Sequence, residues 1–137
     1  MIRYLVDSSA LWRILRDGGV RAAWQEAISN GAVGSCQPQR CEFKRSARDR
    51  DEFDAMSRMF EDLYPDVAVH KSAWKWMDSV QYRLSAKGKH RGLSVVDLVV
   101  AATAAYHGLI VLHDDNDFAT VVTEAPDLSE RNVNRLP

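Results

Sequence analysis

Cysteine is scarce in this 137-residue chain: there are two. Cys36 and Cys41 lack the C-x-x-C or Cys/His spacing that zinc sites and dithiol redox motifs require. That leaves two free thiols, as expected of a protein in the reducing cytoplasm. Long apolar runs are also missing. Met1–Val6 is short and interrupted at once by Asp7, so it is not expected to act as a signal peptide, and no stretch approaches membrane-spanning length. An excess of one charge is absent, with 18 basic and 19 acidic residues giving a net charge of −1. No internal repeat, low-complexity tract or Pro/Ser-rich linker divides the chain, so residues 1–137 are expected to form one domain. That length suffices for one core without disulfide or metal staples. With 46% hydrophobic and 27% charged residues, the composition is that of an ordinary globular protein.

What is present is a set of short apolar strands alternating with amphipathic helices. Ile2–Val6 reads as a buried strand, followed by a helix through Leu11–Leu15 that stops near Gly18-Gly19. Val20–Asn30 is amphipathic, Ala32–Ser35 is a short strand, and a helix from about Pro38 carries Glu42. Helices are expected over Asp51–Tyr64 and Ser72–Ala86, with a third strand at Val67–Val69 between them. A basic loop, KGKHRG at 87–92, precedes an apolar helix that ends at His107-Gly108. Leu109–Leu112 is a strand, Phe118–Val122 a short helix, and Arg131–Asn134 a last weak strand. This alternation predicts an α/β fold, a parallel sheet with helices on both faces, whose sites lie at the carboxyl ends of the strands.

Asp97 is the most informative residue, the one charge between Leu93 and Ala105 in LSVVDLVVAATAA. An ionised carboxylate in such surroundings is costly unless paired or metal-bound. Ser94-Val95-Val96-Asp97 also fits a capping box, with Asp in place of Glu/Gln, so a purely local role is open. Other acids fall in similar places. Asp7 directly follows the first strand, Glu42 lies near the start of its helix, and Asp115 and Asp117 follow the strand LIVLH. Each has a bland reading: Asp7 as a helix cap, Glu42 as a solvated residue, Asp115 and Asp117 as turn formers. In a parallel sheet all five converge on one edge, where unpaired carboxylates repel unless a cation is shared. An oxygen-only set suits a hard divalent metal such as Mg²⁺, and phosphodiester hydrolysis is the chemistry that most needs it. Gathering five acids leaves fourteen against eighteen basic residues, a surplus of +4 over the remaining surface.

The segments YLVDSSAL, CEFKRSAR and LSVVDLVVAATAAYHGLIVLHDDNDF, in that order, resemble the PIN-domain ribonucleases, specifically the VapC-like toxins of type II toxin–antitoxin pairs. The resemblance covers nearly the whole chain. It implies a three-layer α/β sandwich with a parallel sheet of about five strands. It assigns Asp7, Glu42, Asp97 and Asp115 to the catalytic acidic quartet, with Mg²⁺ or Mn²⁺ as cofactor. Asp7, Asp97 and Asp115 would hold the principal metal, with Asp117 as an additional acid and Ser9 as a supporting hydroxyl. Two departures stand out: QPQR at 37–40 is more polar than the family's approach to its glutamate, and Asp114 adds a carboxylate beside Asp115.

The expected partners are an RNA substrate, a cognate VapB-like antitoxin and a second copy of the chain, with no membrane. Arg45, Lys87, Lys89 and Arg91 are candidate RNA-backbone contacts, although such runs also serve as solvated surface. His113 reads as structural. Two other readings compete: an RNA-maturation nuclease of the same fold, and a silent binding module. A phosphatase with an aspartate nucleophile is disfavoured because Ser9 stands where its second Asp would be.

Overall fold

The structure, a computed structural model, describes Met1 to Pro137 throughout. Its elements follow the alternation. β1 (Tyr4–Val6), α1 (Ser8–Arg16), α2 (Gly18–Ser29), β2 (Val33–Gly34), α3 (Gln37–Lys44) and α4 (Arg50–Leu63) make the first half. α5 (Ala73–Ser85), α6 (Val95–His107), β3 (Ile110–His113), α7 (Asp117–Val122) and β4 (Ser129–Asn132) make the second. The strands form one parallel sheet in the order β2-β1-β3-β4, with Tyr4, Leu5 and Val6 opposite Ile110, Val111 and Leu112.

Side chains on successive strand positions point to opposite faces, which makes three layers. Leu5 and Val111 face a core built from α5, α6 and α7, including Met77, Val80, Val100 and Phe118. Tyr4, Val6 and Leu112 face a second core with Leu11, Ile14, Trp24, Phe43 and Phe60 from the first four helices. Trp24 is fully buried, and its indole N–H donates to the Val133 carbonyl at 2.8 Å. No helix is long and apolar enough to cross a membrane.

The sheet has four strands, which corrects the expected five. The stretch predicted as a strand at Val67–Val69 forms none, and a single bridge, Ser35 with Asp66, stands just before it. Ser35 N–H donates to the Pro65 carbonyl and Val67 N–H to the Ser35 carbonyl, both at 2.8 Å, and the ladder ends there. Pro65 has no N–H to extend it backward. Forward, Val67 is buried in the core and the Ala68 carbonyl pairs with His107 Nε2 at 2.7 Å instead of a strand. Gly18 and Gly19 also differ from expectation, opening α2 rather than ending α1. Asp17 caps that helix by accepting from the N–H groups of Gly19 and Val20.

Candidate active site

Three elements converge at the carboxyl edge of the sheet. Asp7 is the residue after β1 and caps α1, its Oδ2 accepting from Ser9 N–H at 3.1 Å and from Ser9 Oγ at 2.6 Å. Glu42 projects from α3, which starts at the same edge after β2. Asp97 lies in the first turn of α6, where Ser94 and Asp97 complete the capping box. Asp97 N–H donates to Ser94 Oγ at 3.2 Å and Ser94 N–H to Asp97 Oδ2 at 3.4 Å. Asp97 thus completes the capping box and at the same time belongs to an acidic cluster. One oxygen from each of Asp7, Glu42 and Asp97 lies within 4.8 Å of the other two.

This gathering is electrostatically uncomfortable. Asp7 is 3% exposed, and its Oδ1 is buried without a hydrogen-bond partner. Burial first, then the neighbouring Asp97 charge, push the Asp7 carboxyl up to about 7, against the opposing hydrogen bonds from Ser9. Glu42 is also raised, chiefly by burial and then by Asp97, while a hydrogen bond from Ser8 and the charge of Arg45 favour its ionised form. An orphaned carboxylate oxygen inside a ring of three acids is what a divalent cation would relieve, and the all-oxygen donor set fits Mg²⁺ or Mn²⁺.

Asp115 and Asp117 stand outside this trio. Asp115 Oδ1 accepts from Asp117 N–H at 2.9 Å, bracing the start of α7, and Asp115 N–H donates to His113 Nδ1 at 3.1 Å. Asp117 packs beside Gly92, where an added Cβ would sit 3.2 Å from its carboxyl carbon. The Asp114 carboxylate is occupied elsewhere, accepting from Arg13 Nε and from Asn134 Nδ2, both at 2.9 Å. Ser9 links the loops, because its Oγ also accepts from Asp114 N–H at 2.9 Å. His113 is buried and stacked on Phe118 at 5.0 Å, a scaffolding role.

Among the basic candidates, Lys87 is paired with Glu124. Lys89 and Arg91 line a cavity together with Asp117, and Arg45 lies within electrostatic reach of Glu42. Sequence reasoning missed Ser8, Gln39 and Arg13. Gln39 left a trace in the unexpected polarity of QPQR, while Ser8 and Arg13 gave no signal distinguishable from ordinary helix residues.

The chain is similar to known proteins in the same terms. The PIN domain family matches residues 4–123. Ribonuclease VapC6 of Mycobacterium tuberculosis is 59% identical over 102 residues, covering 74% of this chain and 80% of its own length. Ribonuclease VapC21 of the same organism is 32% identical over 126 residues, covering 90% and 91%. DNA-bound VapBC from Salmonella typhimurium shares the fold, with a TM-score of 0.77 at 14% identity over 97% of this chain and 99% of that one. With its family match, its identity to these ribonucleases and its acids gathered at the sheet edge, the chain belongs to the PIN-domain family, as a VapC-like member.

Proposed function

We propose that this protein is a toxin endoribonuclease that hydrolyses RNA phosphodiester bonds and is held in check by a VapB-like antitoxin. The observation that carries the reading is the trio of carboxylates from three separate elements, one with a buried oxygen left unpartnered. The names of its relatives, ribonucleases and toxin–antitoxin complexes, supply the substrate class and the kind of partner.

Asp7, Glu42 and Asp97 would hold the cation, Mg²⁺ or Mn²⁺, and Asp115 and Asp117 complete the acidic rim. The bound cation would supply an activated water and neutralise charge on the phosphate. Ser9 keeps Asp7 aimed by occupying its Oδ2, leaving Oδ1 for the centre. Glu42, whose carboxyl is raised by burial and whose ionised form Ser8 and Arg45 favour in opposition, would orient the attacking water and accept its proton. With water rather than a ribose hydroxyl attacking in line and the 3′ oxygen leaving, the cut ends would carry a 5′-phosphate and a 3′-hydroxyl. Lys89, Arg91 and Arg45 contact the RNA backbone around the acidic pit, with Lys87 held back by Glu124.

The antitoxin reading has its own structural support. On α4 the one fully buried residue is Phe60, and Phe53 and Leu63 are 42% and 40% exposed. Such an amphipathic helix with an uncovered apolar side suits an apolar segment from a partner. A homodimer belongs to the same proposal.

Cleavage of bacterial RNA by antitoxin-free protein, with Mg²⁺, Mn²⁺ or EDTA, tests the function. Discrete cuts are expected with metal and not with EDTA, mapping to 5′-phosphate ends. Asp97→Asn should reduce cutting to background while keeping the fold, because an Asn Oδ1 can still accept the Ser94 N–H that the capping box requires. Full activity in that variant would remove the trio from the mechanism.

A further inference from the structure

One face of α1 carries Ser9, Trp12, Arg13 and Arg16, which follow one another at helical spacing. Together with Asp114 they line a cavity of about 250 Å³. The cavity starts beside the acids, because Ser9 Oγ donates to Asp7 Oδ2 at 2.6 Å. Arg16 lies about 10 Å beyond Ser9 along the helix axis.

The helix dipole favours basic residues in the last turn of α1, which accounts for their charge but not for how they are held. Arg13 Nε donates to Asp114 Oδ2 at 2.9 Å, and its terminal amino groups are unbonded. Arg16 has no hydrogen bond or ion pair, and its guanidinium lies 4.6 Å from the Trp12 ring centroid. Trp12 in turn stacks on Phe43 at 4.4 Å, and Phe43 follows Glu42 on α3. Asp114, the one acid in the wall, has both oxygens occupied, by Arg13 and by Asn134. Two guanidinium groups with spare donors therefore stand on one wall, next to a site whose own charge is negative.

Spare guanidinium N–H groups suit a phosphate, whose oxygens accept them in pairs. An RNA strand with one phosphate at the acids runs its neighbouring phosphates over adjacent surface, where cations offset the repulsion from the acidic pit. A guanidinium plane is also a surface on which unpaired bases stack. We propose that this face of α1 is an RNA-backbone subsite, in which Arg13 and Arg16 bind a phosphate flanking the one being cut. The proposal rests on the reading of the chain as an RNA nuclease. It places a second basic contact on α1, apart from the loop at 87–92.

The test is the salt dependence of RNA binding, followed by the fluorescence anisotropy of a short labelled single-stranded RNA of mixed sequence. All variants are made in Asp97→Asn, so that the probe stays intact. Arg13 and Arg16 are both exposed, and thermal melts check that their variants fold. Arg13→Gln and Arg16→Gln should each make the plot of log affinity against log salt shallower by about 0.7, the worth of one phosphate contact on a single strand. Arg16→Lys should restore the slope, because charge rather than packing on Trp12 sets it. Lys75→Gln, on α5 in the opposite layer, should leave the slope unchanged. An unchanged slope in either glutamine variant at α1, or an equal change in Lys75→Gln, would overturn the subsite and leave that face to a protein partner. The nuclease reading fails separately, if the parent protein cuts no RNA with Mg²⁺ or Mn²⁺ present.

Discussion

Asp7 concentrates the conflict between stability and function in one side chain. Ser9 satisfies one of its oxygens, and the other lies buried with no partner. Its carboxyl is pushed up to about 7 from the ordinary 3.8. Between those values the folded protein keeps a proton that the unfolded chain has lost. Stability of the metal-free protein therefore falls as pH rises through that window, and the loss is complete above it. Asp7→Asn, permanently neutral and still able to accept from Ser9, should melt several degrees above the parent in EDTA at about pH 8. The gap should shrink at about pH 4, where the unfolded parent also becomes protonated. Adding Mn²⁺ should raise the parent's melting temperature and leave the variant's unmoved. Coincident EDTA melts at both pH values would show that Asp7 carries no such burden.

At the scale of elements, the close contacts fall where the sheet edge is shortest. A Cβ on Gly34 of β2 would lie 2.8 Å from Val67 Cγ2, 3.0 Å from Ile2 Cγ2 and 3.0 Å from the Pro65 carbonyl. Gly34→Ala should therefore cost roughly 1–3 kcal/mol in chemical denaturation, the penalty of overpacking; an unchanged midpoint would mean that the edge yields freely. The same crowding marks where reading by pattern stopped. The order of helices and strands was legible because each carries its period: the YLV run of β1, the apolar face of α2, the Ser94–Asp97 box that starts α6. Val67 has the composition of a strand residue, yet whether it pairs depends on Pro65 and on His107 taking the Ala68 carbonyl, both set by tertiary contacts. Five acids were expected to converge; Asp7, Glu42 and Asp97 do gather, and the division between them and the others was not legible. Asp115 braces α7 and Asp114 is taken by Arg13 and Asn134, which depends on side-chain directions that spacing does not encode. Gln39 was legible only as an oddity of composition.

Across the whole molecule, two cores meet on a narrow sheet, and the central pairing joins Tyr4–Val6 to Ile110–Leu112. A chain ending at Gly108 holds Asp7, Glu42 and Asp97 but lacks β3 and β4, leaving β1 only the two-residue β2 as a neighbour. Such a truncation should show no cooperative melt and cut no RNA; a folded, active fragment would contradict the dependence of the site on β3. Contacts so distant in sequence form late and slowly compared with local ones. During synthesis Asp7 and Glu42 leave the ribosome long before β3, the strand that seats Asp7. For an enzyme whose proposed substrate fills the cell that makes it, this topology means that a nascent chain carries the acids but no seated site until β3 has emerged.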